Sequence, residues 1–546
     1  VFRPQLFYTW RHYDRTTFLA DLGAGVTVGV VALPLAIGFG IASGVTPAQG
    51  LWTAIVAGFL ISFLGGSRVQ IGGPTGAFVP ILAGIVVSYG YGGLAVATFM
   101  AGIMLVVMGA CRLGNLIKFI PYPVTAGFTS GIAVILAVGQ MKEFLGLSAA
   151  LPRHTLQQIG VVLSHVAETQ WLTLGLGALA VAILVGWPKR WRRVPSSIVA
   201  VAVPTLLVAW WSLDVATIGS KFGGIPRGLP PLALPHLTFD DFNHLLMPAL
   251  TIAMLGAIES LLSAVVSDGM IEARHDSNQE LIGQGIANIV CPFFGGIAAT
   301  GAIARTATNV RSGARTPVAG IIHAVTLLAI MLVAAPLAKF MPLAALSAVL
   351  IVVAYRMGEW DNFVELAHGP KSDYVVLLVT FALTVVFDLT VAVGVGLVIA
   401  GALFVRRMEE ITHIKLVTPD SELEVGTGAV TAQNVPPGVV VYRIEGPFFF
   451  GAAEKLETAL MRHATVPRVV IFRMRTVPAV DATGLRALEI MRDKFHRKGT
   501  QLILSGVQPQ PMKVLYNAGF VDKIGMDNLC ANLDMALARA RQLLAA

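Results

Sequence analysis

From about residue 21 to residue 405 the apolar residues fall in long blocks, broken by short polar, glycine-rich or proline-containing stretches. Blocks of this kind predict membrane-crossing helices. About fourteen are expected, near residues 22–42, 48–64, 75–89, 92–109, 122–141, 171–187, 195–213, 244–268, 280–292, 301–310, 317–334, 343–355, 374–388 and 391–405. Several are too short to cross about 30 Å of hydrocarbon at about 1.5 Å per residue. Beyond residue 410 the pattern changes. Val439–Ile444 alternates as a strand does, and residues 468–474 and 501–507 read as further strands. The segment GPFFFGAAEKLETAL reads as a turn and a helix. Residues 481–499 read as a helix with Leu485, Leu488 and Met491 on one face. With the last helical stretches this makes an alternating α/β module.

Composition sharpens that division. The chain of 546 residues is 55% hydrophobic and 13% charged, against about 25% charged for an average soluble domain. Splitting it near residue 410 leaves about 42 charged side chains before the seam and about 28 after it, so that only the second part is near the soluble norm. The expected domains are an N-terminal segment (1–20), a membrane domain (21–410) and a soluble domain (411–546). Residues 1–20 carry Arg3, Arg11, Asp14 and Arg15 and have no apolar core, unlike a secretory signal. Disorder, nucleic-acid binding and a disulfide scaffold are excluded; the three cysteines, Cys111, Cys291 and Cys530, have no metal-ligand spacing. The net charge of +8 matters less than where it lies. With fourteen spans, one set of loops holds about 17 Lys/Arg and the other about 5, which places the N-terminus and the soluble domain in the cytoplasm.

A repeat lies within the membrane part. Residues 59–82 read FLISFLGGSRVQIGGPTGAFVPIL and residues 289–304 read IVCPFFGGIAATGAIA. Both run apolar, Gly-Gly, a short polar stretch, then Thr-Gly-Ala: Thr75, Gly76 and Ala77 in the first, Thr300, Gly301 and Ala302 in the second. Interrupted spans at matching places in two halves, about 21–213 and 244–405, point to an inverted repeat with a binding site at the midplane. A helix that starts inside the membrane leaves its first N–H groups unpaired, and with the positive end of the dipole they suit an anion.

Charges inside the spans fit that site. Arg305, about one turn beyond Thr300-Gly301-Ala302, adds fixed positive charge; the plainer alternative is that it bridges helices. Glu259 lies in MPALTIAMLGAIESLLSAVVSDGM, where a carboxylate is a candidate to carry a coupling proton, hold a cation or pair with Arg305. His323 reads as a packing residue rather than a proton relay. Phe39, in a span broken by Pro34 and three glycines, either caps a pocket or packs.

VALPLAIGFGIASG, GLWTAIVAGFLISFLGGSRVQIGGPTGAFVPI, PFFGGIAATGAIARTATNVRSGARTP and DATGLRAL together make the chain resemble the SulP-type anion transporters, the bacterial branch of solute carrier family twenty-six. The resemblance covers nearly the whole chain; the last segment resembles the family's STAS domain. It implies a seven-plus-seven inverted repeat with core and gate subdomains; an enzyme is not expected, because no nucleophile–base pair or metal-ligand cluster is apparent in the sequence. It also implies an anion site at Phe39, Thr75, Gly76, Ala77, Thr300, Gly301, Ala302 and Arg305, with Glu259 tied to ion or proton coupling. The residues around Glu259 and Arg305 look most like the C4-dicarboxylate transporters. Leu35, Ala302 and Ala304 stand where many members have polar side chains, which leaves backbone amides and Arg305 to do more of the binding. Ala482 follows Asp481, so the phosphorylated serine of related STAS loops is missing.

The resulting expectation is a proton-coupled symporter of a dicarboxylate such as succinate or fumarate in the bacterial inner membrane. The same family offers sulfate, sodium-coupled bicarbonate or chloride as alternative cargo, and an anion channel as an alternative mode. No cofactor is expected beyond the coupling ion. A small anion, the lipid bilayer and a second copy of the chain are the expected partners, and nucleic acid is not.

Overall fold

In the computed structural model the apolar blocks form helices whose lengths depart from the expected spans. The structure describes residues 3–10, 13–114, 121–152, 154–188, 194–228, 230, 232, 239–387, 394–396, 398–399, 401–403, 405, 413–416, 435–449 and 467–545. Two compact units result, Val1–Val398 and Ile399–Ala546.

The first half of the larger unit contains α1 (Gln5–Thr9), α2 (Arg15–Ala42), α3 (Pro47–Leu64), β1 (Gly72–Gly73), α4 (Val79–Ala110), α5 (Tyr122–Leu145), α6 (Thr155–Ser164), α7 (Trp171–Gly186) and α8 (Ser196–Trp211). After α9 (Ile218–Phe222), the second half contains α10 (Phe239–Ile271), α11 (Ser277–Val290), β2 (Thr300–Gly301), α12 (Ile303–Arg311), α13 (Val318–Ala338), α14 (Leu343–Met357), α15 (Trp360–Ala367) and α16 (Lys371–Val386). Among the described residues, seven helices are long and apolar enough to cross a membrane: α2, α3, α4, α5, Asn243–Ile271 of α10, α13 and the stretch Leu343–Ala367. α7 and α8 are apolar but shorter.

The differences from fourteen even spans have local causes. α4 covers two expected spans because the helix breaks at Gly90, whose φ of 67° suits glycine. α11 has 14 residues and α12 has 9, so they extend about 21 Å and about 14 Å and neither crosses alone. α11 buries Gln279, Glu280, Gln284 and Asn288, a polar content that only a helix sheltered by other helices tolerates. The expected last span, 391–405, is described only in part.

Packing sorts the helices into two bundles. In one, α2 lies on α3 and α13, α4 lies on α10 and α11, α3 also meets α11 and α13, and α10 meets α12. In the other, α5 packs on α14 and α16, and α7 packs on α8 and α14. Exchanging the halves maps these contacts onto one another. The α4–α10 contact corresponds to α13–α2, α4–α11 to α13–α3, and α5–α16 to α14–α7. This is the core-and-gate inverted repeat.

Buried carboxylates tie the core bundle at its loops. Glu280, at the start of α11, accepts hydrogen bonds from Gly66 N (2.8 Å) and Ser67 N (3.0 Å), and from Gln284 Nε2 (2.9 Å). Asp21 of α2 accepts from Arg315 N (2.7 Å), Thr316 N (3.1 Å) and the Thr316 hydroxyl. The corner between α10 and α11 is held by Asp268, which bonds both the backbone N (2.9 Å) and Nδ1 (2.7 Å) of His275; His275 Nε2 meets Ser277 Oγ at 3.0 Å.

The smaller unit is a five-stranded sheet in the order β3 (His413–Leu416), β4 (Val439–Glu445), β5 (Val469–Thr476), β6 (Gln501–Ser505), β7 (Leu529–Cys530). β3 is antiparallel to β4 and the other pairs are parallel. Alternate strand residues feed two cores. Tyr442, Phe472 and Leu504 face helix Ala482–Arg497, while Val441, Ile471 and Ile503 face helix Leu533–Ala545. Asp481 caps the former helix by accepting from Gly484 N (2.7 Å). The helix expected within GPFFFGAAEKLETAL lies outside the described residues.

Replacing Glu280 by Ala strips the Gly66 and Ser67 amides of their acceptor, at about 1–3 kcal/mol for each buried donor left unpaired. The Glu280→Ala protein should unfold at a clearly lower temperature than Glu280→Gln, which keeps an acceptor oxygen. Thermal unfolding in detergent measures this, and equal midpoints would count against the tie.

Candidate functional site

The site begins where two helices fail to continue. α3 ends at Leu64, with Gly65 as its C-cap, and the chain then bends through residues 66–69 to β1, which pairs antiparallel with β2: Gly72 opposite Gly301 and Gly73 opposite Thr300. The bond from Ala302 N to Ile71 O (2.9 Å) extends this pairing, and Pro74, without an N–H, ends it. The two halves therefore cross at one point inside the core bundle. On one side of the crossing, Phe78 N bonds Thr75 O and Val79 N bonds Gly76 O, both at 3.2 Å, as α4 winds up. On the other side α12 starts at Ile303. Neither helix start has a side-chain cap. Two uncapped, buried helix starts present N–H groups and positive dipole ends to the same region.

Close approach explains the glycines. A methyl group at Gly301 would lie 1.6 Å from Gln70 Nε2, and one at Gly73 (φ 147°) would lie 2.7 Å from Arg305 Nη1. At Gly76 it would meet Leu136 at 3.0 Å and the Phe39 ring at 3.3 Å. Phe39 thus lies over the start of α4, on the residue expected beside the anion.

Arg305 is 2% exposed. Its Nη2 donates to the Pro74 carbonyl across the crossing, and its Nη1 has no protein partner. Among the described residues no carboxylate forms an ion pair with it, so the Glu259–Arg305 pair weighed from the sequence is not made. Glu259 is buried on α10 at 7% exposure, next to Ser260. The Ser260 hydroxyl bonds Gly256 O (2.7 Å) and meets Thr300 Oγ1 at 2.8 Å; Thr300 Oγ1 also lies 3.0 Å from Gly256 O. The Thr300 hydroxyl is therefore taken up in fixing β2 to α10, and Ala302 N in fixing β2 to Ile71. The Thr75 hydroxyl, by contrast, is buried and unpartnered. Ala77 packs in the apolar cluster with Phe78. The crossing brings Thr75, Gly76, Phe39 and Arg305 together as expected, while Thr300 and Ala302 position it.

Other residues join the site without having stood out in the sequence. Thr306 accepts from Ile71 N (3.0 Å) and from Ser263 Oγ (3.2 Å). Gln70 Nε2 donates to Ser260 O (3.1 Å). The only available signal was position: Gln70 lies just before Gly72-Gly73, and Ser260 and Ser263 lie within one turn of Glu259. His323 packs on α3, where its ring lies 3.5 Å from the position of a methyl at Gly58; both ring nitrogens are buried without partners. A cavity of about 1110 Å³ opens beside the site, lined among others by Val79 of α4 and by Leu136, Gln140 and Glu143 of α5. Lys221 of α9 bonds Glu143 at 2.5 Å on its wall. Among the described residues no cluster of metal-ligating side chains is found.

Comparison with known proteins fits this geometry. The model of the Sulfate permease family matches residues 18–380, and that of the STAS domain matches residues 432–536. The chain is 44% identical to the putative sulfate transporter YvdB of Bacillus subtilis, over 94% of this chain and 96% of that protein. It is 32% identical to the bicarbonate transporter BicA of Picosynechococcus, over 95% of this chain and 94% of that one. Its fold matches murine solute carrier 26 family member A9, an anion transporter solved in the inward-facing state, with a TM-score of 0.87, 16% identity and coverage of 99% and 94%. With its inverted-repeat membrane unit and its five-stranded α/β unit, the chain belongs to the sulfate permease family, multi-pass membrane transporters of anions that carry a C-terminal STAS domain.

Proposed function

We propose that the protein is a cation-coupled secondary transporter of a small inorganic oxyanion, and that bicarbonate is the cargo its site suits best. The observation that carries this reading is the crossing itself: two uncapped helix starts face one region, and Arg305 Nη1, buried there, lacks a protein partner. Such a site holds an anion by backbone dipoles and one guanidinium.

Charge balance narrows the cargo. Arg305 supplies one positive charge and ionised Glu259 one negative charge, so the empty site sums to zero. A singly charged oxyanion with one cation or proton at Glu259 keeps it at zero. Sulfate would need two cations to do the same, and uncompensated charge at this depth is costly. The name of the relative at 32% identity supports bicarbonate. Sulfate is the second reading, supported by the name of the relative at 44% identity. The dicarboxylate expectation draws no support from either name. Thr75, Gly76 and Phe39 complete the site, and the core bundle moves against the gate bundle to alternate access. The Lys/Arg bias supports an orientation with the N-terminus and STAS domain inside, and the bacterial relatives support an inner-membrane location. The STAS domain regulates transport or joins two copies of the chain.

In proteoliposomes with inward sodium or proton gradients, labelled bicarbonate uptake should exceed sulfate and fumarate uptake at equal concentration. Sulfate uptake alone would favour the second reading, and fumarate uptake would restore the dicarboxylate. Arg305→Ala should cut uptake at least tenfold, about 1.4 kcal/mol, and Arg305→Lys less. Glu259→Gln should remove the response to the coupling gradient while anion binding, measured by calorimetry, persists. An intact gradient response would take Glu259 out of coupling.

A further inference from the structure

The large cavity stops one side chain short of the anion site. Its floor includes Val79, at the first turn of α4, and Leu136 of α5. Leu136 also reaches past the floor: its Cδ2 lies 3.0 Å from where a methyl on Gly76 would sit, with the Phe39 ring at 3.3 Å beside it. Leu136, Phe39 and Val79 are all buried, at 1%, 4% and 6% exposure, and belong to one apolar cluster. The neighbours of Leu136 on the cavity side are of another kind. Gln140, one turn on, lines both the cavity and the contact with Ser347 of α14, and Gly139 lines the cavity with open space beside its Cα.

We propose that Leu136 is the apolar seal between this cavity and the anion site. It sits on a gate helix and closes over Gly76 of the core, so relative movement of the two bundles carries it on or off the helix start. A hydrated anion in the cavity meets three hydrocarbon side chains before the helix-start amides or the Arg305 guanidinium. Crossing them means losing water before the site can replace it, a barrier to charge of the kind that hydrophobic constrictions provide. The side chain blocks by bulk, not by bonding, so shortening it opens the path and leaves the anion's partners in place. The cavity lies at the end of the bundle where α2 ends and α3 begins, the face that the Lys/Arg bias assigns to the outside. This inference rests on the proposed anion site only for what lies behind the seal.

Accessibility to a membrane-impermeant thiol reagent tests it in intact cells, with the full chain and with exposed Cys111 replaced by Ser. Gly139→Cys, in the cavity, should be labelled at the same rate whether residue 136 is Leu or Ala. Thr75→Cys, behind the seal, should be labelled slowly with Leu136 and at least tenfold faster with Leu136→Ala. Leu136→Met, of similar bulk, should keep the slow rate. Equal labelling of Thr75→Cys in the Leu136 and Leu136→Ala proteins would overturn the seal. So would failure of Gly139→Cys to label while the protein is present at the membrane, because the cavity would then not open to that face. Labelling needs no transported anion, so a wrong cargo assignment leaves this result standing.

Discussion

The short antiparallel pairing of Gly72-Gly73 with Thr300-Gly301 is the constraint on which the membrane unit turns. A backbone inside a membrane must satisfy its own polar groups, and a broken helix survives there only where protein or a cavity takes them up. Here the two breaks satisfy each other. Each half supplies one two-residue strand, and the pairing leaves two helix starts aimed at the space between. Arg305, from the second half, then reaches the Pro74 carbonyl of the first. The proposed anion site and the bond between halves are thus one structure. A change that separates the strands removes both.

The polar residues around the crossing follow from that arrangement. Ser260 and Thr300 hold β2 to α10, Gln70 holds β1 to α10, and Thr306 holds the chain just before β1 to α12. None of these hydroxyls or amides need touch the substrate. They hold the crossing in place, so that an anion at the proposed site would meet preset amides and one preset guanidinium instead of groups that must reorganise. Bulk is arranged with the same economy. Gly301 leaves room for Gln70, Gly73 for Arg305, and Gly76 for Phe39 and Leu136. The glycines thus let polar groups approach from within the core on one side, and on the other an apolar cover made by Phe39 of α2 and Leu136 of the gate.

Much of this was legible in the chain before the fold. The charge-poor run, the break near residue 410, the repeated Gly-Gly and Thr-Gly-Ala, and the isolated Arg305 and Glu259 marked the class of protein and the neighbourhood of the crossing. They did so because burying charge or breaking a helix in lipid is costly enough to leave a mark on composition. Strands β4, β5 and β6 of the smaller unit were legible too, β4 by its alternation and β5 and β6 as apolar runs covered on both faces, while the short outer strands β3 and β7 carried no such signal.

The tertiary structure decided the rest, through contacts between residues far apart in the chain. Thr75 and Thr300 read alike in sequence, yet the Thr300 hydroxyl is bonded to Ser260 and Gly256 while the Thr75 hydroxyl is unpartnered. Glu259 and Arg305 were one candidate pair, and the fold gives Arg305 a carbonyl instead. Leu136 looked like any other apolar residue of a span until α5 was laid across the start of α4. The sequence by itself determined which segments had to be hidden from lipid and water, because that cost belongs to each segment alone. Which buried group meets which was left to packing, because a hydrogen bond or a steric block belongs to a pair and exists only once both partners are in place.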